Sequence, residues 1–185
     1  MAISGTKKTS TITFRLDDNI ITKLRNESKN KDISTNTLVN QALKKFLDWD
    51  VFQPQMGLVS INKIVFVKIF GNLKEQEVIK MASRIGKDEV YSVSLFMKGE
   101  IDVVSFMSWF VMQMVNSSVQ VSHSVDDDAH TYVFKHELGK NWSLYYKTIL
   151  EIIFEELFSK KIHVKCDKFL FHFQFRDNVN RHLVE

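Results

Sequence analysis

Three residue types are scarce in this chain of 185: it has one cysteine, one proline and six glycines. The lone Cys166 excludes an internal disulfide. Small secreted domains usually lean on such cross-links, so an intracellular, cytoplasmic protein is expected. With so few glycines there is no glycine-rich loop to cradle a phosphate, and little room for tight, ligand-approaching turns. The single Pro54 marks one break, because proline cannot continue a helix. Long apolar runs are missing too. Residues 103–115 come closest, but they include Ser105, Ser108 and Gln113 and fall short of the roughly 18–20 residues that cross a bilayer. The first residues lack the apolar stretch of a secretory leader. Nucleophile elbows, phosphate-binding loops and paired-carboxylate motifs are also missing. A membrane partner, a cofactor, a resident metal and enzymatic activity are therefore not expected.

What is present is an ordinary globular composition, 44% hydrophobic and 25% charged, too apolar for a disordered chain. The formal net charge of +3 is unevenly placed. Residues 1–50 carry nine Lys and Arg against six Asp and Glu, whereas residues 51–185 carry sixteen of each sign. A basic head on a neutral body suggests a polyanion partner for the head. The stretch around Pro54, residues 48–57, is the expected boundary between a module over 9–50 and a domain over 57–175. A module of about 40 residues folds alone only marginally, so oligomerisation is expected of it.

The head begins with TSTITFRLDD at residues 9–18. Ile12, Phe14 and Leu16 alternate with Thr11, Thr13 and Arg15, the pattern of a strand with one apolar face. Asp17 or Asp18 can cap a helix running to about residue 30. Ser34 caps a second helix, on which Leu38, Val39, Ala42, Leu43, Phe46 and Leu47 form a wide apolar stripe. One strand cannot satisfy its own backbone donors and acceptors. Pairing with its copy in a second chain solves that and makes a two-fold dimer.

This order of strand, helix and helix, with STITFRL followed by ISTNTLVNQAL, resembles the ribbon-helix-helix family of DNA-binding proteins. The resemblance implies a homodimer, or a higher oligomer, whose two strands enter the major groove of double-stranded DNA as a ribbon. It implies base contacts from Thr11, Thr13 and Arg15, and phosphate contacts from Ser34, Thr35 and Asn36 at the start of the second helix. Lys7, Lys8 and Lys31 would add salt-sensitive attraction to phosphate. The family often has glycine two residues before the cap. Here that position is Asp32, which can visit the left-handed region at some cost. The expected function is a DNA-binding transcriptional regulator of the nucleoid. Two alternatives stay open: an antitoxin-like interaction protein and an architectural DNA-coating protein. A strand used only for dimerisation, with Ser34 a plain N-cap, is the purely structural reading.

The body is expected to be α+β: several helices, then a small antiparallel sheet crossed by one long helix. Residues 73–85 and 88–97 read as helices, and 61–70 as either helix or strand. Residues 101–115 are apolar nearly all round, as in a central buried helix. Residues 119–125, 131–137, 162–166 and 169–175 read as strands, with an amphipathic helix over 142–158. Phe169, Phe171, Phe173 and Phe175 line one face of the last strand, as a core under that helix or as an aromatic pocket for an effector. A two-residue turn at Asp167-Lys168 would set His163 opposite His172. That is two ligands, where a closed zinc site takes about four. His123, His130 and His136 could join them only through tertiary contacts. The body is thus expected to sense an effector, hold chains together or engage a protein partner.

Overall fold

The structure, a computed structural model, describes residues 9–177. The chain divides into two units, one up to Gln53 and one from Pro54 onward.

In the first unit, α1 (Asp18–Asn30) and α2 (Thr35–Lys45) form a helical hairpin. The turn between them is closed by backbone hydrogen bonds from Asp32 N–H to Lys29 O (3.1 Å) and from Ile33 N–H to Ser28 O (3.0 Å). That pair of bonds needs a left-handed residue after the helix, and Asp32 supplies it with φ 53°. Beyond α2 the backbone widens into a π-helical turn, Phe46–Asp50, which buries Trp49. The expected strand over residues 9–16 is not formed. Residues 9–17 have no regular secondary structure, and every one is exposed. A single chain offers that segment no neighbouring strand to hydrogen-bond with.

The second unit is mixed α+β. Its helices are α3 (Lys63–Gly71), α4 (Glu75–Met81), α5 (Lys87–Lys98), α6 (Val103–Asn116) and α7 (Lys140–Phe158). Residues 61–70 resolve as helix because the Asn62 side chain accepts from Ile64 N–H at 2.9 Å and caps α3. The expected break between residues 85 and 88 is absent. A π-helical turn, Ala82–Gly86, joins α4 to α5 without interruption. Gly86 is there for close approach: a Cβ at that position would lie 2.4 Å from the Tyr145 hydroxyl oxygen and 2.7 Å from Ile149 Cδ1 on α7. Gly86→Ala is therefore expected to lower stability by about 1–3 kcal/mol, the usual cost of overpacking. Thermal denaturation would measure it, and adding Tyr145→Phe, which removes the nearest atom, should recover part of the loss.

The strands are β1 (Gln120–Asp126), β2 (Ala129–Lys135), β3 (Lys165–Cys166) and β4 (Leu170–Arg176). They form one antiparallel sheet in the order β1-β2-β4-β3. One face carries rings. Phe134 stacks on Phe171 across the strands at 4.6 Å between centroids, and Tyr132, Phe173 and Phe175 continue the row, all buried. Phe110 of α6, with Tyr146 and Phe154 of α7, closes over them. Each such ring contributes roughly 1.5–3 kcal/mol by leaving water. The phenylalanine face is thus a packed core rather than an open aromatic pocket.

Two details of the last strands differ from expectation. Asp167 N–H donates to Leu170 O at 2.8 Å, and its carboxylate accepts from the N–H groups of Phe169 (2.6 Å) and Leu170 (2.9 Å). That centres the turn on Lys168-Phe169, one residue later than Asp167-Lys168. Lys165, not His163, then stands opposite His172, and Phe169 is 59% exposed instead of joining the core. β3 is also shorter than 162–166. Val164 N–H donates to Glu151 Oε1 (2.9 Å) and Val164 O accepts from Lys147 Nζ (2.8 Å), so α7 takes the backbone groups that a longer ladder would use.

Candidate functional site

In the head, Thr11, Thr13 and Arg15 are all exposed, in the segment without regular structure. Their apolar neighbours are equally uncovered: Ile12 is 70% and Phe14 59% exposed. Leu16, Leu43, Phe46 and Leu47 are exposed as well. Among the described residues of this unit only Ser28, Leu38 and Trp49 are buried. A groove of about 580 Å³ runs between the two helices, lined mainly by Ile20, Leu24, Leu38, Ala42 and the flanks of α1. An apolar surface this large is unusual on so small a unit standing alone.

Ser34, Thr35 and Asn36 stand together at the start of α2. Ser34 Oγ accepts from Thr37 N–H at 3.0 Å, the N-cap bond. The amides of Thr35 and Asn36, at the first two helical positions, have no intrahelical acceptor and the positive end of the helix dipole behind them. The Thr35 hydroxyl is not free for a ligand in the way its amide is. It lies 3.1 Å from Ser28 Oγ, which itself donates to Arg25 O at 2.9 Å, so it ties α2 back to α1. Lys31 pairs with Glu27 at 3.2 Å, both side chains about half exposed, a contact worth little against a phosphate. Lys7 and Lys8 lie outside the described residues.

In the body, histidines meet in ways the sequence did not suggest. His123 and His130 are diagonal neighbours across β1 and β2, with Nε2 of the first 3.1 Å from Nδ1 of the second. Burial, then the charge of His130, pushes the His123 pKa down. One N–H···N hydrogen bond joins the rings, and their tautomers set which of them donates. Among the described residues no three metal-ligating side chains gather anywhere. The hairpin spacing around Asp127-Asp128 was the signal for this pair, once the turn is placed at two residues.

His136 and Ser143 look like a nucleophile and its base, with Nε2 2.7 Å from Oγ and both residues buried. The tautomer argues otherwise. Leu138 N–H donates to His136 Nδ1 at 3.1 Å, so the ring proton sits on Nε2 and is donated to Ser143. A general base would have to accept there instead. Burial holds the His136 pKa down to about 4, and Ser143 is fully enclosed. The contact joins the sheet to α7. Burial likewise pushes the Cys166 thiol up, which leaves it unreactive. His163 is exposed, 3.6 Å from Glu151. No helix among the described residues is long and apolar enough to cross a membrane. No known protein family, curated protein or solved structure matches this chain.

Proposed function

We propose that the chain is a DNA-binding regulator of the nucleoid whose first units pair across a two-fold axis as a ribbon-helix-helix module. One observation carries this reading: the first unit has almost no core of its own and holds Ile12, Phe14, Leu16, Leu43, Phe46 and Leu47 in solvent. A second copy covers all of these at once and supplies the missing partner strand. Alternation then turns Thr11, Thr13 and Arg15 outward from the paired ribbon, toward base edges in the major groove. The Ser34, Thr35 and Asn36 helix start faces a backbone phosphate through its free amides. The body holds the assembly together or senses an effector. It has no catalytic role in this reading.

The test joins sedimentation to duplex binding over a salt series. The expected result is a dimer whose affinity falls steeply with salt, and Arg15→Ala losing about 1–3 kcal/mol of sequence preference while staying dimeric. A monomer with no duplex affinity at about 50 mM salt sinks the reading. A stoichiometric protein held on the same apolar face would replace it with the antitoxin-like reading. A uniform footprint along DNA would replace it with the coating one.

A further inference from the structure

The sheet of the second unit has two unlike faces. The ring-bearing face lies under α6 and α7. On the other, Lys135 of β2, Lys165 of β3 and Arg176 of β4 project by strand alternation and are exposed. Thr131, His172 and Gln174 lie between them, a hydroxyl, an imidazole and an amide. Among the described residues, carboxylates stand at the ends of this face. Asp126 ends β1 on this face, opposite Ala129, Asp127 and Asp128 form the β1–β2 turn, Asp167 opens the β3–β4 turn, and Asp177 follows β4. Arg176 Nε is 3.8 Å from Asp128 Oδ1, with the arginine side chain 78% exposed, a pair too solvated to neutralise it. At the Arg176 end the face drops into a recess of about 380 Å³ lined by Lys160, Lys161, Gln174, Phe175 and Arg176. Lys160 donates there to Arg176 O at 2.7 Å and pairs with Asp177 at 3.5 Å, so Lys161 and the loosely paired Arg176 supply the recess with its open positive charge.

This concentration is not inherited from composition, since residues 51–185 carry equal numbers of each sign. The fold sorts the charges, leaving cations on the open sheet face. We infer that this face is a second nucleic-acid contact, one that binds the phosphate backbone of duplex DNA without reading sequence. The chemistry of the face selects the ligand. Its interior offers hydrogen-bond donors and positive charge, with the half-buried His172 imidazole as its one ring and Phe175 buried beneath the recess, whereas single strands are held by stacking successive bases on several exposed rings. Val133 and Leu170 are its only aliphatic members larger than alanine and are partly covered, too little to recruit an apolar partner. The seven residues of β4 run about 20 Å, which matches about six base pairs of duplex. The inference goes beyond the ribbon reading and stands whether or not the first unit touches bases.

The full chain carrying Lys135→Glu, Lys165→Glu and Arg176→Glu is compared with wild type on a duplex of about 30 bp and arbitrary sequence, from about 50 to about 300 mM salt. At least a tenfold loss near 100 mM is expected, with the log–log salt slope falling by roughly 2 to 3, about 0.9 for each phosphate contact removed. A control with the same charge change on α3, α4 and the π-helical turn after it, Lys68→Glu, Lys80→Glu and Arg84→Glu, should lose much less. The milder set Lys135→Gln, Lys165→Gln and Arg176→Gln should lie between, which guards against misfolding of the reversed variant. Equal losses in the control and the face variants would overturn the inference, as would an unchanged slope in the glutamine set. Binding of the wild type to phosphatidylserine vesicles but not to duplex would also overturn it. Arg15→Ala separates the two proposals: if the ribbon reading fails, that change is silent while the sheet-face loss remains.

Discussion

Phe14→Glu is expected to turn the proposed dimer into a monomer and to weaken duplex binding by at least about 100-fold, some 3 kcal/mol. In the single chain Phe14 is 59% exposed between Ile12 and Leu16, so the substitution costs the isolated protomer almost nothing. In a paired ribbon the same position lies over apolar helix faces, where an unpaired carboxylate is heavily penalised. Two-fold symmetry places the charge twice in one interface. Binding falls with it, because two half-ribbons cannot enter the groove as one. Sedimentation velocity and duplex anisotropy on the same samples measure both effects, and unchanged near-ultraviolet dichroism of the second unit confirms that its core is intact. Arg15→Ala differs in kind, since it should keep the dimer and lose only discrimination. A Phe14→Glu protein that remains dimeric and binds as wild type would mean that this face is not buried in any assembly.

The second large effect is acid sensitivity of the body. His136 is neutral and enclosed, with its pKa held down to about 4 by burial, whereas an unfolded histidine titrates near 6.5. Trp142, Phe171, Ser143 and the Leu138 amide face it, and the nearest charge acting on it is Asp167, which opposes the shift only in part. Above about pH 6.5 neither state is protonated and the full stability is present. As pH falls from there toward 4, the unfolded chain takes up a proton that the fold refuses, so stability drops by up to about 3 kcal/mol. His123, also shifted down, works in the same direction from the same starting pH. Asp167 has its pKa lowered by the amides of Phe169 and Leu170, so its loss comes at more acid pH. Urea unfolding followed through tryptophan fluorescence at several pH values between 8 and 4 checks this. His136→Gln, which can still donate to Ser143, should flatten the profile, and His123→Gln should flatten it less. A wild-type stability constant from pH 7 to 4.5 would show that His136 protonates freely in the fold.

Periodicity made the elements of the body legible. Residues 142–158 repeat at 3.6 and form most of α7, and Tyr132 and Phe134 alternate and form the core row of β2. The break expected between residues 85 and 88 is not there, because Gly86 continues the helix and serves a close approach to Tyr145 and Ile149. Nothing local marks that approach. The turn after Cys166 misled by one residue, because the Asp167 carboxylate, by accepting from two amides, sets the turn. That shift is enough to trade His163 for Lys165 beside His172. In the head, the alternation over residues 9–16 did not give a strand in the single chain, whereas the Ser34 cap was legible from its residue type. The tie of Thr35 to Ser28 was not.

By itself the sequence determined what short-range chemistry controls: most of the helical segments, where Ser34 caps, and which face of the body's elements is apolar. Tertiary structure alone decided what depends on register and on contacts distant in the chain. It brought His123 to His130 and His136 to Ser143, placed the His136 proton on Nε2, and gave one sheet a covered ring face and an open polar one that carries Lys135, Lys165 and Arg176. The reason is that a cross-strand neighbour is set by where a turn closes, and a buried pKa by everything packed around the group, and neither is a property of a residue and its near neighbours.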